Sequence, residues 1–276
     1  MKKLIGLFIL MAMAVRADDG YRTFTAEDGR TLKARILRYD STTGKVQIER
    51  DDRKRLTVPA TAFSEKDQAY IKAWEVEQVF LSAVDFKLEI ERDEVKKPKK
   101  EHEIDIDEGL SGGRRGGESG RVTVAIDQST QYKFKLAAEN KSGFPLKGIT
   151  LEYRIYYDQQ KPVKDEKANK SRSEDDPRPE QHMAVDQQKV KDGRARVKTI
   201  QSKESRNITV GSATLLKRSA SRAWGDKIDL KSNLSGVWVK LTMKGANGKK
   251  VVREIASPES IPKKFPWDPP EEQDAD

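Results

Sequence analysis

Between Ile149 and Tyr157 the apolar side chains fall on every second residue, at Ile149, Leu151, Tyr153, Ile155 and Tyr157, with Thr150, Glu152 and Arg154 between them. A period of two is the signature of a β-strand with one buried face, because successive side chains leave opposite sides of the pleat. The pattern recurs along the chain. Phe80, Val84, Phe86, Leu88 and Ile90 carry it, as do Val122, Val124 and Ile126, and Tyr132, Phe134, Leu136 and Ala138. Weaker strands are expected over Arg194–Ile200 and Arg206–Leu216. Val237, Val239, Leu241 and Met243 face Val251 and Ile255 across Asn247-Gly248, a dipeptide that favours a tight hairpin turn. Strands at this spacing predict an antiparallel β-sandwich of immunoglobulin or fibronectin type over residues 77–261. The chain has no cysteine, so such a sandwich is held by packing alone.

Two stretches break the alternation. Residues 92–120 contain Lys96-Lys97-Pro98-Lys99-Lys100, an acidic run from Glu101 to Glu108, and Gly112-Gly113-Arg114-Arg115-Gly116-Gly117. Residues 158–189 are mostly polar and contain Asp175-Asp176-Pro177. Both read as long flexible insertions. The tail, residues 262–276, is rich in proline and acid and reads as extended. Trp267 within it has two readings, a docking element or an aromatic that packs back on the body; burial of its large apolar surface favours packing.

The segment ahead of the sandwich, residues 18–76, is punctuated differently. Short strands are expected at 22–25, 31–39, 45–50 and 54–58, separated by Asp28-Gly29, Thr43-Gly44 and Asp51-Asp52-Arg53, with Pro59 ending the last. Ser64 then offers an N-cap, Glu65 and Asp67 acidify a first helical turn, and Ala69, Tyr70, Ala73 and Trp74 give a helical stripe. This is a small barrel with a helix after it. The string Phe24, Asp28-Gly29-Arg30, Ala34, Gly44-Lys45-Val46, Val58-Pro59, Phe63-Ser64 and Asp67-Gln68-Ala69-Tyr70 resembles the Sla-homology domain, an SH3-like module found in yeast endocytic adaptors and in exported proteins of planctomycetes and verrucomicrobia. The resemblance covers about residues 21–76. It implies an SH3-like fold and peptide reading through a basic residue on the hairpin of the middle strands, positions that carry Arg50 and Arg55 here. The alternative for both arginines is a solvated strand end.

Met1-Lys2-Lys3, the apolar run Leu4–Val15 and the small residues of Val15-Arg16-Ala17 have the order of a secretory signal. Cleavage is expected after Ala17, with Ala14 as the alternative, giving an exported bacterial protein, periplasmic or extracellular. No later segment has the apolar length of a membrane span. Formal net charge is +9 and the isoelectric point about 9.4, which suits anionic envelope polymers or lipid head groups as partners. The Asn-x-Ser/Thr triplets at Asn140, Asn169, Asn207 and Asn233 read as chance in such a protein.

The chemistry-bearing residues are sparse. His102 and His182 are the two histidines, and both fall in stretches read as polar loops. The Glu101–Glu108 run departs from the calcium-loop pattern, and the single arginine–glycine run lacks interleaved aromatics, so neither a metal nor nucleic acid is expected. No phosphate loop, nucleophile elbow or dinucleotide motif occurs. The expectation is a non-catalytic binding protein without cofactor, recognising a protein or peptide partner. Binding of anionic polymer by charge is one alternative, and a carboxylate-based polysaccharide or peptidoglycan hydrolase is another.

Overall fold

A computed structural model describes residues 20–106, 120–170, 181–221 and 227–268. The expected signal segment, residues 1–17, lies outside them. The described residues are mainly β and form three antiparallel sheets.

The first sheet is a meander in the order β1 (Arg22–Thr25), β2 (Thr31–Asp40), β3 (Lys45–Arg50) and β4 (Arg55–Pro59). Each turn follows its sequence signal. Gly29 takes a positive φ of 84° in the β1–β2 hairpin, a conformation a Cβ would oppose. Phe24, Ala34, Ile36, Val46, Ile48 and Phe63 form a closed apolar cluster on the inner face. After a 3-10 turn at Ala60–Ala62 the chain bridges back, Phe63 to Ala26, making a half-barrel.

Helix α1 (Glu65–Leu81) follows, capped by Ser64, whose side chain accepts from the Asp67 backbone N–H. It runs five residues beyond the boundary expected at 76/77. Phe80, read as the start of a strand, lies in its last turn. The helix therefore belongs to two cores. Tyr70, Ile71 and Trp74 pack on the half-barrel, whereas Val76, Val79 and Phe80 pack on the strands that follow.

Those strands form two facing sheets. One holds β5 (Phe86–Lys96), β6 (Lys100–Ile106), β7 (Gly120–Asn140), β10 (Ser205–Ser221) and β11 (Lys227–Leu230), in the order β11–β10–β7–β5 with β6 also on β7. The other holds β8 (Thr150–Lys164), β9 (His182–Arg196), β12 (Ser232–Lys244) and β13 (Lys250–Ser257), in the order β13–β12–β8–β9. A one-turn helix, α2 (Glu166–Asn169), follows β8, and another, α3 (Ile261–Lys264), follows β13. Phe134, Leu136, Ala213 and Leu215 from the β7 sheet meet Leu151, Ile155, Val239 and Leu241 from the β8 sheet in one sandwich-like core. The expected alternation of 149–157, 132–138 and 237–243 is thus the inner face.

The two stretches read as flexible insertions are largely strand. β5 continues to Lys96, and β6 resumes along the same edge of β7, from Lys100 opposite Asp127. Pro98, which has no N–H to donate, sits in the gap between them. Likewise β8 runs on to Lys164 and pairs with β9 back to His182. Only residues 107–119 and 171–180 of these stretches lie outside the description. The start of the tail also departs from an extended run, since Ile261–Lys264 make a helical turn.

Candidate functional site

The half-barrel carries the two arginines singled out from the sequence. Register sets Arg35 of β2, Glu49 of β3 and Arg55 of β4 side by side on its outer face. Glu49 Oε1 lies 2.6 Å from Arg35 Nη2 and accepts from the Tyr21 hydroxyl at 3.0 Å, while Oε2 lies 3.3 Å from Arg55 Nε. Burial pushes the Glu49 carboxyl up, but the hydrogen bonds from Tyr21, Arg35 and Arg55 outweigh it and hold it below its ordinary value. Arg50 is the next residue along β3, so it leaves the opposite face. Its Nη2 lies 3.5 Å from Asp52 Oδ2, and its Nε is inaccessible with no hydrogen-bond partner. The structure thus does not bring Arg50 and Arg55 together. Arg55 remains 67% exposed, at the start of a strand that among the described residues pairs on one side only. Beside it Leu56, in register with buried Ile48, is 39% exposed.

Trp267 packs on the body. It meets Trp238 edge to face at 5.0 Å, with Lys240 Nζ 4.3 Å above its ring and Arg154 Cζ at 5.1 Å. Phe265 stacks on Tyr156 at 4.6 Å, and the Tyr156 hydroxyl donates to Pro266 O at 3.2 Å. Arg154 also faces Asp268 at 3.4 Å. Trp238 Nε1–H donates to Glu254 Oε2 at 3.1 Å, and Lys240 Nζ lies 3.1 Å from the other oxygen. These side chains sit on the outer face of the β8 sheet and form a cluster separate from the main core.

The histidines lie in strands rather than loops. His102 is in β6, its Nε2 3.0 Å from Asp127 Oδ2, and Arg218 of β10 closes on both oxygens of the same carboxylate at 2.7 Å. Arg218, against burial and with help from His102, takes the Asp127 carboxyl down to about 2. A period-two reading could not find this trio, because its members come from three strands far apart in sequence. His182 opens β9 opposite Lys164. The acidic run is strand as far as Ile106. Among the described residues no group of three or more His, Cys, Asp and Glu is placed to hold a metal ion.

Asn140, the first of the Asn-x-Ser/Thr triplets, is fully buried. Its Nδ2 donates to Phe144 O at 2.7 Å and Gln201 O at 3.0 Å, and its Oδ1 accepts from Ser142. It staples two loops, and its amide nitrogen is committed to that work.

Fold and sites together define a mainly β chain with several antiparallel sheets and a half-barrel. No family model and no curated protein matches it. Among the described residues no helix is long and apolar enough to cross a membrane.

Proposed function

We propose that this chain is an exported, non-catalytic interaction protein of the bacterial envelope, with an SH3-like module of the Sla-homology type followed by a fibronectin-like sandwich. The strand order supports the second identity. With β5, β7 and β10 as A, B and E, and β9, β8, β12 and β13 as C′, C, F and G, the two sheets have the fibronectin-type order. The four-stranded meander closed by a 3-10 turn and a bridge supports the first. Fold alone does not give a ligand.

The observation that carries the binding reading is the free side of β4. It joins an edge with no second strand among the described residues, the exposed Arg55 guanidinium and the half-exposed Leu56 along one short strand. Such an edge accepts an extended peptide through main-chain hydrogen bonds, with the side chains giving selectivity. An acidic residue of the peptide would meet Arg55. The test is a photo-crosslinker at Thr57, with one at Ser212 on the β7 sheet as control, in residues 18–276 exposed to envelope extract. A defined protein adduct at Thr57 only, retained at high salt and lost with Arg55→Glu, supports the reading. Equal adducts at both positions, or adducts that disappear with salt, refute it and point to charge-driven binding of anionic polymer.

A further inference from the structure

The C-terminal segment lies on the β8 sheet in the manner of a bound peptide. Its contacts are two aromatic pairings, cations over the Trp267 ring, one side-chain hydrogen bond to Pro266 O, and one ion pair at Asp268. These are the contacts by which aromatic grooves read proline-containing sequences, with a cation beside the groove choosing an acid. At the β12 bulge a Cβ on Gly236 would come within 2.4 Å of Ser257 O and 2.8 Å of Ile261 Cδ1, so the missing side chain lets the 257–261 turn close on the sheet and deliver residues 265–268 to its outer face. Ile261, which is 1% exposed, plugs this end.

The seat also has its own apolar cluster. Tyr156, Trp238 and Ile261, with Ala256, Phe265 and Trp267, form their own small cluster outside the main core. Such a satellite can open while the sandwich stays folded, because its apolar cluster is distinct from the main core. Opening would bare Tyr156 and Trp238 flanked by Arg154 and Lys240. That surface is complementary to what leaves it, an aromatic–proline–tryptophan–acid sequence followed by Pro269, Pro270, Glu271 and Glu272.

We propose that the outer face of the β8 sheet is a peptide-recognition site for short aromatic–proline–tryptophan–acid segments, occupied in cis by residues 265–268 and open in trans to a partner protein bearing the same chemistry. The site is distinct from the β4 edge and does not depend on the reading given to that edge. The cis segment lowers the apparent affinity for a trans peptide by the fraction of molecules that are closed.

The test uses the full mature chain and a labelled peptide of residues 265–272. In Phe265→Ala/Trp267→Ala the cis ligand is disabled and the face intact, so the peptide binds at least tenfold more tightly than to wild type. Adding Lys240→Glu and Trp238→Ala to that variant abolishes binding. A second measurement needs only wild type. Lys263 and Lys264 are exposed within α3, and trypsin cuts there when the turn opens. The unlabelled peptide, which contains no lysine or arginine, accelerates release of residues 265–276 several-fold, and a scrambled peptide does not. A folded double variant that fails to bind, or tryptic release indifferent to the peptide, overturns the proposal. If wild type is a dimer that the peptide converts to monomer, the trans occupant is a second copy and the partner assignment is overturned.

Discussion

Replacing Gly211 by alanine should destabilise the protein, although by local propensity it should do the reverse. Gly211 lies in β10 at the bulge where its register with β7 shifts, and its φ carries no left-handed requirement. In an ordinary strand alanine is favoured over glycine by ~0.5–1 kcal/mol. Here a methyl would fall 2.5 Å from Tyr153 Cζ and 2.6 Å from Cε2. The ring cannot retreat, because its other edge faces Gly193 of β9, where a Cβ would lie 2.4 Å from the hydroxyl and 2.7 Å from Cε1. The two glycines form a slot across the open side of the sandwich, and Tyr153 fills it. Overpacking of a blocked ring costs roughly 2–3 kcal/mol, so the net loss should be about 1–2.5 kcal/mol once propensity is subtracted. Removing the ring reverses the sign. In a Tyr153→Leu background, Gly211→Ala should be neutral or stabilising by ~0.5–1 kcal/mol, a coupling of roughly 2–3 kcal/mol. Urea unfolding of wild type, both single variants and the double, followed by far-ultraviolet circular dichroism, measures all four corners. Gly211→Ala stabilising on its own, or additivity of the two changes within about 0.5 kcal/mol, would refute the slot.

Asp127 supplies a pH test. Its folded carboxyl is held at about 2 by Arg218 and His102 against an ordinary value of 3.8, so it adds stability above about pH 4 that is lost as pH falls through 2. Asp127→Asn should therefore be clearly less stable than wild type at pH 7, and the gap should shrink from pH 4 downward, as read by thermal melts across that range. Arg253 clamps α1 to the sandwich, its Nη1 donating to Phe80 O at 3.2 Å, Ser82 O at 3.1 Å and Phe86 O at 2.5 Å. Arg253→Met should cost ~2–3 kcal/mol and raise amide exchange over residues 78–86 more than elsewhere, because charge-assisted bonds at a helix end are lost. Asn140→Ala should cost ~2–3 kcal/mol by removing the hydrogen bonds that its buried amide makes to Phe144 O, Gln201 O and the Ser142 hydroxyl, and chemical denaturation reads it directly.

How much of this fold was legible depends on where a strand meets water. The alternation of 132–138, 149–157 and 237–243 was readable because one face of each is sealed in the core and the other is not. The same strands run on past the core as paired arms. In β5, exposure is continuous from Glu91 to Lys96, and no apolar period survives there because neither face is buried. The far end of β8, from Lys161 to Lys164, is exposed in the same way. Pairing there is carried by backbone hydrogen bonds and cross-strand partners such as Lys135 with Asp93 at 2.8 Å, none of which leaves a hydrophobic signature. Composition resembling a loop was therefore composition of a doubly solvated ladder. Helix α1 outran its expected end for a related reason. Its later apolar residues serve a second core, so the stripe changes direction near Trp74 rather than stopping.

The site was less legible than the fold, and the motif that gave the first module explains why. Asp67 accepts from Arg22 at 2.7 Å, from the Thr25 backbone N–H at 2.8 Å and from Ser64 Oγ at 3.0 Å, tying α1 to β1. Gln68 donates to Phe63 O at 2.8 Å, and Arg22 lies 3.7 Å above the Tyr70 ring. Phe24, Ala34, Val46 and Phe63 are core. The residues that carry the resemblance are thus the ones that build and close the half-barrel, and they say little about what it grips. Ligand choice must come from side chains outside the motif, and those are placed by register. Arg50 and Arg55 look like neighbours on one hairpin, yet period two assigns Arg55 to the Glu49 face and Arg50 to the other. Counting residues from Glu49 along β3, and across it to β4, is enough to separate them. What counting along that hairpin could not supply is the third member, since Arg35 joins Glu49 only when β2 is laid beside β3.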